Sequence, residues 1–242
     1  MNVAGALLYG FANLLHPRML WLMVWPMLVS LVFWGAVAAA FWERLAVALA
    51  ALFQRWLEPA AGFLHLDLGG ATVLAAYVVL VLLLVPLVYL TALFILGAFG
   101  MQKMVDHVAQ RSFPALERRR GGGVAGSVWN GVAALGGMAL LFLVSLPLWL
   151  LPPVWPLIPL AIFAWANQKL LRYDALGEHA DAAEMARLFR ERRGALLTLG
   201  LLFALLAYVP FVGFIAPVLF GLAFIRYLLG ALQELRVQHA PD

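Results

Sequence analysis

Long stretches without a charged residue constrain this chain more than any other feature of its sequence. Met19 to Trp42 gives 24 consecutive uncharged residues, and Leu68 to Gln102 gives 35. An α-helix rises about 1.5 Å per residue, so about 20 apolar residues cross the hydrocarbon of a bilayer. Only 12% of the residues are charged, whereas soluble domains average about a quarter, and so few charges cannot cover a water-exposed exterior. We therefore expect an all-α integral membrane protein.

The charge pattern predicts a single membrane domain over residues 1–242, with two long transmembrane helices at about 19–42 and 70–100. Residues 43–58 place leucines at helical spacing opposite charged residues, which predicts an amphipathic surface helix that Pro59 and Gly62 end. Residues 103–120 predict a juxtamembrane helix before a flexible glycine turn. Residues 178–193 predict a second amphipathic helix, with Arg187 and Glu191 as an i,i+4 pair.

Two further apolar segments predict helical hairpins, at about 124–168 and 195–232. Gly194 to Ile225 has 32 uncharged residues, whereas two crossings with a turn need roughly 40. The turn sequences are SLPLWLLPPVWPLIPLA and YVPFVGFIAP, which contain almost no polar side chain. We therefore expect both hairpins to bend back inside the bilayer, where other helices or another subunit shield the turns. Several glycines would permit close helix approach: Gly126, Gly131, Gly136, Gly137, Gly213 and Gly221.

The distribution of basic residues predicts the orientation. The segment between the two predicted spans holds only Arg44 and Arg55 of the 16 Lys and Arg residues. Basic residues are concentrated on the cytoplasmic side of membrane proteins, so both termini are expected in the cytoplasm. The same count fits hairpins that cross the bilayer completely, because they return to the same side.

The second hairpin carries a family resemblance. The chain from Phe163 to Leu228 reads FAWANQKLLRYDALGEHADAAEMARLFRERRGALLTLGLLFALLAYVPFVGFIAPVLFGLAFIRYL. This order of an aromatic arm, a Tyr-Asp link with a His, an Arg-flanked helix and an apolar proline turn resembles the CysZ-type sulfate permeases and their etoposide-induced-protein relatives. Pro17 and the PMLVS sequence at Pro26 to Ser30 match more weakly. The resemblance implies a homo-oligomer in the bacterial inner membrane that passes sulfate toward cysteine synthesis.

The resemblance also implies an anion site at the start of the first span. Sulfate permeases of this type carry a Gly-Leu/Ile-Arg-Arg element there, which contributes to the anion site. Here the residues after Pro17 are Arg18-Met19-Leu20-Trp21, so one displaced arginine remains. Arg18 in the first helical turn, with Asn13 and His16, forms the predicted anion site. The alternative is an interfacial arginine that contacts lipid phosphate.

Three other polar residues lie in apolar surroundings. Ser127 and Asn130, at the start of the first hairpin, either line a pore or form hydrogen bonds between helices. Arg226, in the last arm, either takes part in ion passage or extends toward the interface.

No catalytic motif, nucleotide-binding loop or Cys is present, so we expect no enzyme activity and no cofactor. The adjacent pairs Asp106-His107 and Glu178-His179 do not have the spacing of a metal site. The basic residues flank apolar runs, which indicates contact with lipid headgroups rather than nucleic acid. Two functions stay open: a permease for a small inorganic oxyanion such as sulfate, and a non-transporting membrane protein that organises partners or lipid.

Overall fold

The computed structural model describes residues 2–64, 69–209 and 212–238, and this part of the chain is helical with no β-strand. Its α-helices are α1 (Val3–Leu14), α2 (Pro17–Leu64), α3 (Gly69–Ser112), α4 (Val124–Val144), α5 (Leu157–Leu176), α6 (Ala182–Glu191), α7 (Arg193–Ala207) and α8 (Ala216–Gln238). Short 3₁₀ segments form the two hairpin turns: Leu146–Leu150, Pro152–Val154 and Val212–Phe214. Residues 210 and 211 of the second turn lie outside the described residues.

Four of the described helices are long and apolar enough to cross a membrane: Pro17–Glu58, Gly69–Gly97, Ala125–Val144 and Ala216–Gln238. Large apolar side chains are exposed along three of them, including Val32, Phe94 and Trp129. Such surfaces need lipid as their solvent. The expected all-α membrane protein is therefore confirmed, and the chain is a multi-pass membrane protein.

The two long helices differ from their predicted bounds. Residues 43–58 do not form a separate surface helix, because α2 continues from Pro17 to Leu64 through Pro59 and Gly62. Likewise α3 continues to Ser112 and includes most of the predicted juxtamembrane helix, with Pro86 inside it. No glycine or proline stands between Gly35 and Pro59, and the Ala- and Leu-rich sequence there favours continued helix. Both helices are therefore longer than a bilayer crossing requires.

Residue contacts divide the chain into two compact units, Trp21–Ala98 and Met1–Leu20 with Phe99–Asp242. We call the first the helical pair and the second the hairpin unit. In the helical pair, α2 and α3 pack antiparallel through side-chain contacts. Ser30 Oγ donates a hydrogen bond to the Val88 carbonyl at 2.7 Å, and Trp42 stacks on Tyr77 with ring centroids 5.9 Å apart.

Helix α8 is the centre of the hairpin unit. Nearly every side chain from Val218 to Leu232 is buried, and α1, α5 and α7 pack around it. Close backbone approach at Gly10 supports this packing, because a Cβ there would lie 2.8 Å from the Leu219 carbonyl oxygen. A Cβ on Gly221 would meet the Met104 side chain at 2.9 Å. Thus α8 is apolar enough to span lipid but is enclosed mainly by protein.

The first hairpin consists of α4 and α5. Gly126 approaches Tyr173 and Gly137 approaches Trp165, both on α5, so these glycines permit the predicted close contact. In contrast, a Cβ added at Gly131 or Gly136 would meet no other atom within 4 Å.

Many backbone N–H and C=O groups in the turn of this hairpin form hydrogen bonds within the turn itself. Within the 3₁₀ segments, Leu148 N–H donates to the Ser145 carbonyl at 2.8 Å, and Leu151 N–H donates to the Leu148 carbonyl at 3.1 Å. Trp155 Nε1 donates to the Trp149 carbonyl at 2.6 Å. Prolines have no N–H that needs a partner. Exposed apolar side chains such as Leu150, 83% exposed, surround this hydrogen-bonded backbone, which makes the turn compatible with lipid.

Candidate functional site

The connection between α1 and α2 positions the predicted anion-site residues. The Arg18 N–H donates to His16 Nδ1 at 3.3 Å, and the N–H groups of Met19 and Leu20 donate to the His16 carbonyl at 2.8 and 3.0 Å. His16 therefore caps the start of α2. Because Nδ1 accepts a hydrogen bond, the neutral imidazole carries its proton on Nε2 and can donate to a ligand there. The side chain of Arg18 is exposed.

The end of α3 brings two further basic residues close to His16 and Arg18. The His16 and His107 rings pack edge to face with centroids 5.0 Å apart, and Arg111 follows His107 by one helical turn. We call His16, Arg18, His107 and Arg111 the basic cluster. Burial lowers the pKa of His107 below its usual range, and the positive potentials of His16, Arg111 and Arg18 lower it further. The Nε2 of His107 is buried without a hydrogen-bond partner.

The basic cluster has the chemistry to bind an oxyanion. Arginine presents a planar fork of donors that matches sulfate or phosphate oxygens, and imidazole N–H groups add single donors. The mutual repulsion that depresses the His107 pKa is relieved when an anion binds. In the sequence, His107 stands out only as half of the Asp106-His107 pair, and its approach to His16 is visible only in the fold.

Asn13 lies in the last turn of α1. Its side chain is 9% exposed, and its Nδ2 donates to the Tyr9 carbonyl at 3.0 Å within α1. Of the three residues predicted for the anion site, the structure brings His16 and Arg18 into the basic cluster, whereas the Asn13 amide forms a hydrogen bond inside its own helix.

Arg226 lies between two aromatic rings. Its guanidinium carbon is 5.0 Å from the Tyr9 ring centroid and 4.6 Å from that of Phe113, distances at which cation–π attraction operates. Ser112 Oγ forms a 3.3 Å hydrogen bond with the Tyr9 hydroxyl. Arg226 Nη1 is buried without a hydrogen-bond partner. These contacts join α1, the end of α3 and α8.

Ser127 and Asn130 both form hydrogen bonds from α4 to α5. Ser127 Oγ donates to the Asp174 carboxylate, and Asn130 Nδ2 donates to the Lys169 carbonyl at 2.9 Å. The structure therefore places both groups between the arms of the first hairpin.

A second polar network joins the bases of the two hairpins. Glu184 accepts from Arg236 Nε at 2.8 Å, from Arg236 Nη2 at 2.9 Å and from Arg119 Nη1 at 2.9 Å. These hydrogen bonds, with that of Arg236 first, hold the pKa of the Glu184 carboxyl below its usual range. Asp181 and Glu184 also form a capping box at the start of α6. Their spacing, Asp-x-x-Glu, is a sequence signal that could have located this helix start.

The described residues contain no group of three or more His, Cys, Asp or Glu arranged to hold a metal ion. The predicted surface pair of Arg187 and Glu191 on α6 is present, with Arg187 Nε donating to Glu191 Oε1 at 2.7 Å.

Comparison with known proteins assigns most of the chain to a family. No curated protein and no solved structure matches the chain. A family model described as "Sulfate transporter CysZ/Etoposide-induced protein 2.4" matches residues 6–217, which is most of the chain. This match includes most of α1, both long helices and both hairpin turns, ends at the start of α8, and confirms the family resemblance. The chain therefore belongs to the sulfate transporter CysZ/etoposide-induced protein 2.4 family.

Proposed function

We propose that this protein is a permease for a small inorganic oxyanion, with sulfate as the first candidate. The observation that carries the proposal is the basic cluster: the start of α2 brings His16 and Arg18 beside His107 and Arg111 of α3. No carboxylate of the described residues lies within ion-pair distance of these four side chains. Membership of a family named for sulfate transport supports the choice of ligand.

In this proposal the residues of the basic cluster have separate roles. The Arg18 guanidinium, exposed at the start of α2, makes first contact with the anion. His16 Nε2–H and His107 add donors beside it. Weak, multiple contacts suit a permease, because the anion must leave as well as enter. Passage is passive or driven by a proton gradient, and involves no catalytic step and no cofactor.

The proposed setting is the bacterial inner membrane, with both termini in the cytoplasm and several copies of the chain in one assembly. The basic residues concentrated outside the segment between the two spans support this orientation. Gly131 and Gly136 on α4, which face open space within the chain, support packing against a second copy.

Uptake of ³⁵S-labelled sulfate into proteoliposomes tests the proposal. We expect uptake above that of protein-free vesicles, and a decrease of about tenfold for Arg18→Ala, because a charge-assisted hydrogen bond to the anion is lost. Arg55→Ala is the matched control, since Arg55 is an exposed arginine of the same helix outside the basic cluster. Uptake no greater than in empty vesicles would exclude transport of sulfate and favour the organising protein.

A further inference from the structure

We propose that Arg226 forms a second oxyanion-binding site, separate from the basic cluster and specific for a tetrahedral sulfate or phosphate group. The inference relies on the proposed function only for the choice of sulfate as a probe. It rests on the surroundings of one guanidinium group and on the cleft that opens beside it.

Arg226 carries its positive charge among aromatic neighbours. No described carboxylate lies within ion-pair distance of its guanidinium group. The rings of Tyr9 and Phe113 flank it at 5.0 and 4.6 Å, and ring faces attract a cation without accepting its N–H hydrogen bonds. The positive charge is therefore held in place but not neutralised by these two contacts.

One donor atom of the Arg226 guanidinium group lacks an acceptor among the described residues. Arg226 Nη1 is buried and has no hydrogen-bond partner. A buried donor of a charged group that lacks an acceptor is costly, and such groups in native proteins have a partner supplied by water, an ion or a ligand. An oxygen acceptor with negative charge satisfies both the donor and the charge.

A cleft beside Arg226 offers space for a ligand. Arg226 lines an open cleft of about 480 Å³ together with Ser112, Gln233 and Glu234. A sulfate or phosphate group fits this volume, and the Gln233 amide is a donor on its wall. Among the described residues that line the cleft, Glu234 is the acidic one, and Arg192 forms an ion pair with it at 2.9 Å.

The position of the site favours a role next to the basic cluster. Phe113 follows Arg111 by two residues, and Tyr9 lies two turns before His16 on the chain that leads into α2. Two anion sites next to the end of α3 suit passage of an anion between them, as multi-site conduction requires. The lipid phosphate of an anionic headgroup has the same chemistry and is the other source of the ligand.

The test measures anion binding by the full chain in phosphatidylcholine nanodiscs. Equilibrium dialysis with ³⁵S-sulfate is expected to give two binding sites per chain for the wild type. Arg226→Gln should abolish one of them, or weaken it at least about tenfold, because the fork and its charge are both removed. Arg187→Gln changes the net charge equally at an exposed ion pair on α6, and should keep both sites.

A second variant distinguishes loss of the binding site from misfolding of the protein. Gln233 is exposed, so Gln233→Glu leaves the packing of α8 unchanged while adding a carboxylate to the cleft. It should weaken the same site, and a normal unfolding temperature would show that the fold is intact.

Native mass spectrometry of protein purified with phosphatidylglycerol tests whether a lipid headgroup is the ligand. Loss of one bound phosphatidylglycerol in both variants, with sulfate binding unchanged, identifies the ligand as a lipid headgroup.

The outcomes separate this inference from the proposed function. Binding in nanodiscs does not require transport, so failed uptake leaves the Arg226 result valid. If Arg18→Gln removes a sulfate site and neither cleft variant changes sulfate or lipid binding, the second site is excluded and the first remains. If only the cleft variants lose binding, the Arg226 site stands and the basic cluster is excluded.

Discussion

At the scale of single residues, the surroundings of His107 make the stability of the fold depend on pH. Burial first, and then the positive potentials of His16, Arg111 and Arg18, lower the pKa of His107. The unfolded chain therefore binds a proton at His107 at a higher pH than the folded protein does. Stability rises with pH where the unfolded state binds more protons. The His107 contribution is thus lost as the pH falls below about 6.5, the ordinary pKa of histidine.

We expect the unfolding temperature of the purified protein to fall between about pH 7.5 and pH 5.5, on either side of the ordinary histidine pKa. His107→Gln should show a smaller fall, because the group that resists protonation is gone. Some of the fall should remain, since burial also lowers the pKa of His179. Differential scanning fluorimetry with the native tryptophans measures this, and an identical fall in both proteins would contradict it.

At the scale of elements, the two hairpins are joined through their polar connections. Arg120 N–H donates to the Glu178 carbonyl at 3.0 Å, and Gly121 N–H donates to the Ala180 carbonyl at 2.9 Å. Arg120 adopts a positive φ of 49°, which a non-glycine residue rarely does. The two connections approach so closely that a Cβ on Gly121 would lie 2.5 Å from Asp181 Cα. The three glycines predicted as a flexible turn therefore include a tight backbone contact.

We predict that Gly121→Ala destabilises the protein by about 1 to 3 kcal/mol, because the added methyl group forces the two connections apart. Gly194→Ala in α7 is the control: a Cβ there meets nothing within 4 Å, and alanine is favoured over glycine within a helix. Thermal unfolding of both variants in the same detergent measures the difference. Equal unfolding temperatures would show that this contact does not stabilise the fold.

At the scale of the whole molecule, the depth of the first hairpin is the main topological question. Its turn carries exposed apolar side chains and hydrogen-bonded backbone, which suits a position inside lipid. Its first arm, α4, is also long enough to cross completely. The chain contains no Cys, so single cysteines can be introduced without further changes.

We predict that Leu150→Cys in sealed, oriented membrane vesicles does not react with a membrane-impermeant maleimide from either side. Arg187→Cys, on the exposed polar face of α6, should react completely from the cytoplasmic side. Reaction of both after solubilisation and unfolding confirms that the thiols are intact. Labelling of Leu150→Cys from the outer side alone would show that the hairpin spans the bilayer.

The membrane character of this protein and its helical class follow from the sequence alone, because charge-free runs of 24 and 35 residues have no other favourable solvent than lipid. The family resemblance was likewise visible in local order along the chain. The Arg187 and Glu191 pair was predictable for the same reason, since neighbours on one helix follow from spacing.

Only the tertiary structure brought His107 to His16, and Tyr9 and Phe113 to Arg226, since these contacts join residues far apart in the chain. The sequence did not reveal that α2 continues through Pro59, because a proline or glycine does not always end a helix. Sequence spacing determines which residues share a face of one helix, whereas packing between helices decides which faces meet.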